Sequence, residues 1–166
     1  MPSPAGRHSL NEMSEQPHPA DRASGVTGAL AAQAAAYWLG IVGSLGMIVG
    51  GLAPWATSFG LQSFSGTRMH GWREVAAGVL AVLMLGLYHV RPARLALIGA
   101  AAIGALGAIG AIVAWSKIQS GGVFTIFGVQ YRYLDPAWGL YLVLGGALTL
   151  LFTASALAWT AREQRS

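Results

Sequence analysis

Residues 95–116 read Leu-Ala-Leu-Ile-Gly-Ala-Ala-Ala-Ile-Gly-Ala-Leu-Gly-Ala-Ile-Gly-Ala-Ile-Val-Ala-Trp-Ser, 22 uncharged residues between Arg94 and Lys117. A helix rises about 1.5 Å per residue, so this run matches the roughly 30 Å hydrocarbon core of a bilayer. Three more segments of the same kind complete the chain. Arg22 and Arg68 bracket 45 residues without an acidic or basic side chain. Residues 75–88 are strictly apolar, and residues 136–159 are nearly so. The expectation is an all-α membrane protein: a four-transmembrane-helix bundle with spans at about 33–54, 73–90, 94–116 and 136–159.

Composition supports this class. Hydrophobic residues make up 54% of the 166 and charged residues 10%, against about 25% charged in soluble domains. The net charge is +4, but the basic residues are scattered singly. That pattern offers no phosphate-binding stripe, and nucleic acid is not an expected partner. The chain has no cysteine, which excludes disulfides, Cys zinc sites and thiol catalysis.

The first 28 residues are polar and carry prolines at 2, 4, 17 and 19. A segment so poor in apolar side chains is expected to be a disordered cytoplasmic tail. Glu12, Glu15 and Asp21 intervene before the first apolar run, which is unlike a secretory signal peptide. Residues 29–160 form the transmembrane domain, and 161–166 a second cytoplasmic tail. Residues 56–71 make a first outer loop, with a weak alternation at Phe59, Leu61 and Phe64 that allows a short strand. In the second outer loop, residues 121–133 are β-branched and aromatic around Gly128. A short β-hairpin, or a strand broken by a glycine bulge, is expected there. Asp135-Pro136 reads as N-cap and first residue of the fourth helix.

Basic residues in short loops favour the cytoplasmic side. Arg91 and Arg94 sit in the tight turn between spans two and three. With both termini cytoplasmic, six basic residues lie inside (Arg7, Arg22, Arg91, Arg94, Arg162, Arg165) and four outside (Arg68, Arg73, Lys117, Arg132). The expected location is therefore the plasma membrane, multi-pass, with both ends inside. Tryptophan prefers the headgroup level. Trp55, Trp72, Trp115 and Trp138 fall at the outer span ends, Trp38 and Trp159 near the inner ends, and all six are read as interfacial belts.

Helix pairing in lipid depends on close backbone approach at small residues. Gly46 and Gly50 in span one, Ala100, Gly104 and Ala108 in span three, and Gly145 and Gly146 in span four are the expected packing positions. They predict a tight bundle centred on spans one and three, or an interface with a partner subunit or a second copy.

No span carries an ionisable residue at its middle, and proton-coupled carriers normally need one. The candidate outer polar site comprises His70, Arg73, Glu74, Arg132 and Asp135. Glu74 is expected just inside the outer interface, paired with Arg73 or Arg132. His70 and Glu74 stand four apart, but no third ligand lies nearby in sequence, so no metal is expected. Motifs for nucleophiles, phosphate loops and zinc proteases are absent; neither catalysis nor a cofactor is expected.

Pro54-Trp55, Ser65-Gly66, Gly71-Trp72 and the run from Trp138 to Gly146 resemble the pattern of a group of small actinobacterial integral membrane proteins. The resemblance covers residues 40–158 and implies four spans and no established activity. Met69-His70 stands where that pattern carries an acidic residue near the glycine. The layout also resembles the claudin-like one in architecture alone, since the Cys pair of that family's first loop is missing. The function expected is a non-enzymatic accessory or scaffold protein of the cell envelope. Its partners would be the bilayer and other membrane subunits, or a second copy. A subunit of a small-solute transporter or channel is the alternative, and a lipid-acting membrane enzyme the third reading.

Overall fold

A computed structural model describes residues 19–58, 62–69, 71–91, 93–121, 123–126, 129–132 and 134–163. Residues 1–18 of the expected N-terminal tail and 164–166 of the C-terminal one lie outside them. Four long helices dominate: α1 (Pro19–Leu52), α2 (Trp72–Val90), α3 (Arg94–Gly121) and α4 (Trp138–Glu163). Each contains a stretch long and apolar enough to cross a membrane.

The helix ends have local causes. Residues 19–28 are helical, which corrects the expected tail. Pro19 opens α1 at the position where a missing N–H costs nothing. Contacts divide the chain into residues 1–34 and 35–166, and the packing below belongs to the second unit. Helix α2 stops at Val90 because Arg91 is extended (φ −134°, ψ 105°) before Pro92. Helix α3 runs five residues past the expected end at 116, through Lys117 to Gly121. Ser116 and Ser120 bond back to its own carbonyls there.

One end of the bundle carries two small sheets. Strands β1 (Pro54–Ser58) and β2 (Gln62–Ser65) pair antiparallel, followed by a 3₁₀ turn at Gly66–Met69. Strands β3 (Val123–Ile126) and β4 (Val129–Arg132) form the hairpin expected in the second loop. Strand β5 (Leu134–Pro136) joins the far edge of β1, giving the order β2-β1-β5. The two loops are thereby tied together, since Ala56 faces Pro136 and Thr57 faces Asp135. This corrects the reading of Asp135-Pro136 as a helix cap. Both residues are in the strand, α4 starts at Trp138, and Ala137 N–H donates to Trp55 O (2.8 Å) while its own carbonyl accepts from Leu140 N–H (3.1 Å).

The core has two parts. One gathers Met47, Leu85, Leu97, Ala100, Ala108, Ala147, Leu150 and Leu157. The other, toward the sheets, joins Trp55 and Ala56 to Ala111, Ile118, Leu140 and Val143. Outside, large side chains such as Leu45, Leu83, Leu106, Ile109 and Phe152 are exposed.

The hub of the bundle is α4, not a pairing of α1 with α3. An added Cβ at Gly43 would stand 2.7 Å from Gly146 O, and one at Gly50 2.7 Å from both Gly139 O and Val143 N. One at Gly104 of α3 would stand 2.8 Å from Ala147 O and Leu151 N. The glycine faces of α1 and α3 thus both seat on α4, because α4 offers its own small residues, Gly139, Gly146 and Ala147. Gly46 lies in the same seam, with room for a Cβ at ordinary contact distance from Gly146 and Leu142. Gly145 is the exception among the expected packing positions. It faces away from the bundle with open space beyond its Cα, since Gly146 one residue on takes the inward direction.

The Gly104 contact is against backbone, which cannot move aside as a side-chain end can. Gly104→Leu should cost about 1–3 kcal/mol or more through overpacking. The expected result is a lower unfolding midpoint and a broadened size-exclusion peak in mild detergent. An unchanged midpoint and peak would show that α3 and α4 do not approach this closely.

Candidate functional site

The candidate site lies at the sheet end, between the start of α2 and the last turns of α3. Gly71 places the first turn of α2. Its N–H donates to Gly66 O (2.6 Å), and its carbonyl accepts from Glu74 N–H and Val75 N–H (3.1 Å each). Glu74 then falls in the first turn, on the face turned toward α3, and is only 9% exposed.

On α3, Gly107 and Gly110 are three residues apart and share a face. Their missing side chains leave a notch that holds the Glu74 carboxylate. A Cβ at Gly110 would stand 2.7 Å from Glu74 Oε1, and one at Gly107 3.2 Å from Oε2. Met47 closes the Gly107 side from α1. Oε2 is buried and accepts no hydrogen bond. The expected ion pair with Arg73 is not formed. Adjacent helical residues point about 100° apart, so Arg73 turns outward and is exposed while Glu74 turns in. The Arg132 side chain lies outside the described residues, although its backbone closes strand β4.

Beside the carboxylate is a half-open pocket of about 680 Å³. Trp55 and Leu134 contribute from the sheet, Gly110, Val113, Ala114, Lys117, Ile118 and Gly121 from α3, and Arg73 and Glu74 from α2. Its polar side chains are one carboxylate, held inside, and two cations, both exposed at its edge. Sequence reasoning named Arg73 and Glu74 but missed Lys117, because α3 was expected to end before it. Asp135 is exposed on β5 and does not line the pocket. His70 lies outside the described residues. Among the described residues no group of three or more His, Asp or Glu is placed to hold a metal.

Trp55 forms the pocket's wall and is the main correction to the tryptophan belts. It is 3% exposed, and its indole N–H donates to Gly50 O (2.9 Å) at the end of α1. Gly66 packs so close to the ring that a side chain there would collide with it. The indole satisfies a terminal helix carbonyl, which a water-facing tryptophan would leave to solvent. Trp38, Trp72, Trp138 and Trp159 are exposed. Trp115 is half-buried, edge-on to Tyr141 at 5.0 Å.

The hydroxyls nearest the bundle's middle bond to their own helices. Ser44 Oγ donates to Gly40 O (2.9 Å) and Thr149 Oγ1 to Gly145 O (2.8 Å). Each thereby spends its one donor hydrogen on its own helix. The chain matches no family model, no curated protein and no solved structure.

A buried carboxylate oxygen without a partner costs about 1–3 kcal/mol, more when ionised. Glu74→Leu keeps a similar volume and removes that cost. The expected outcome is a higher unfolding midpoint in detergent, equivalent to about 1–3 kcal/mol. A lower midpoint would show that the carboxylate is a structural bond rather than an unpaired group.

Proposed function

We propose that this chain is a multi-pass integral protein of the plasma membrane, with both termini cytoplasmic, that acts as a non-enzymatic accessory or scaffold subunit. The bundle would stand in the bilayer with its sheets on the outer face. The exposed Leu, Val, Ile and Phe side chains of all four helices would then meet lipid, and the arginines of the α2–α3 turn would sit inside, as the charge bias requires.

One observation supports the choice among functions: the helices meet at backbone-to-backbone seams with self-bonded hydroxyls, while the pocketed chemistry lies at the sheet end. A carrier needs polar groups converging near the middle. A lipid-acting enzyme built on Glu74, His70 and Asp135 needs the two carboxylates together, and Asp135 stands apart on β5. The glycine faces are largely used within the chain. Partner contacts are therefore assigned to the sheets and to the outward faces around Gly86 and Gly145, both of which have open space beyond them.

Cross-linking in native membranes, then extraction in mild detergent and analysis of the purified species, tests the proposal. The expected product is a defined complex with a second membrane protein or a second copy of the chain. A lone monomer carrying only lipid would contradict the scaffold role.

A further inference from the structure

The pocket beside Glu74 has a charge order that selects a ligand. Its carboxylate lies inside, with Oε1 toward Gly110 of the lining and the buried, unpartnered Oε2 toward Gly107. Its cations, Arg73 and Lys117, stand exposed at the edge. A carboxylate held this way calls for a compact donor with several N–H groups. The cations at the edge call for an anion joined to that donor by a short linker. The walls are apolar, from Val113, Ala114, Ile118 and Leu134. Val113 is also 46% exposed on the outside of α3, beside the exposed Ile109 and Ile112. The pocket wall therefore continues into the apolar exterior of the helix.

We propose that this pocket binds the headgroup of a phospholipid bearing a primary amine, such as phosphatidylethanolamine. The ammonium donates to Glu74, and the phosphate lies between Arg73 and Lys117. The glycerol and acyl chains pass out over Val113 along α3. The notch at Gly107 and Gly110 is what lets the carboxylate reach its position. The proposal rests on the membrane setting argued above and goes beyond it by naming a lipid class. A quaternary choline headgroup carries the same phosphate but no N–H, so it cannot donate to Oε1 of Glu74.

The test is native mass spectrometry of the full chain in mild detergent, with phosphatidylethanolamine and phosphatidylcholine of the same acyl chains at equal concentration. The expected result is retention of the ethanolamine lipid about tenfold over the choline lipid, the scale of one charge-assisted hydrogen bond. Equal retention overturns the proposal and needs no variant to be read. In Glu74→Gln the preference should vanish while overall lipid binding persists; a preserved preference overturns the assignment of the amine to Glu74. Soluble O-phosphoethanolamine separates the two sources of this chemistry. Failure to displace the bound lipid at matched concentration supports a lipid site, and full displacement overturns it in favour of a free zwitterion. Flotation with vesicles keeps the two readings apart. A chain that floats but shows no headgroup preference loses only this proposal. A chain that stays in the aqueous layer loses the membrane reading as well.

Discussion

The structure depends on how closely the backbones of α1 and α4 approach. At Gly43, Gly50 and Gly146 an added methyl group would meet main-chain atoms of the facing helix at 2.5–2.7 Å, and at Gly139 it would meet the Pro54 carbonyl of β1 at 2.6 Å. Single dispersion contacts are worth about 0.1–0.2 kcal/mol, so a seam of this kind acts through their number. In lipid the number of close contacts replaces the hydrophobic drive that water would supply. The same logic extends to Gly104, which seats α3 on the adjoining face of α4, and to Gly78, where an added Cβ would meet Ser44 O of α1 at 2.8 Å. Helix α4 is thus the hub on which both α1 and α3 seat, while α1 packs as closely on α2 through Gly51 and Gly78.

That hub explains the site. Once α4 fixes α1 and α3, strand β1 follows directly from the end of α1 and strand β5 leads directly into α4. Their pairing and the Ala137 N–H to Trp55 O bond draw the two inter-helix segments into one cap. Trp55 locks the cap to α1 through Gly50 O, and Gly66 makes room for the ring. The first turn of α2 hangs from this cap through Gly71. Glu74 is delivered to the notch in α3 as a consequence. The cost of placing a carboxylate there falls on stability, a pattern expected where a group is kept for what it binds.

The four helices were legible because each has a long uncharged run with few competing signals. The hairpin at β3 and β4 was legible because its turn is local and its residues are β-branched. Gly46, Gly50, Gly104 and Gly146 announced themselves as small residues on helix faces. What escaped was non-local. Nothing in Pro54–Ser58 or Leu134–Pro136 reveals that they pair, since they lie nearly 80 residues apart. Trp55 looked like a belt residue because its burial depends on Gly66 and on that pairing. The partner of α1 and α3 was misjudged because a glycine stripe gives a direction on its own helix only. Gly107 and Gly110 held the one unused clue: two glycines three apart on α3, opposite a helix that begins with an acid.

The most direct test of the α1–α4 seam compares five single Gly→Ala variants by unfolding midpoint in one detergent. Three lie in the seam, at Gly43, Gly50 and Gly146, and two face open space, at Gly86 and Gly145. Alanine is the better helix former by about 1 kcal/mol, so the two open positions should hold or rise while all three seam positions fall. Seam variants that melt with the wild type, or five variants that shift alike, would contradict the account.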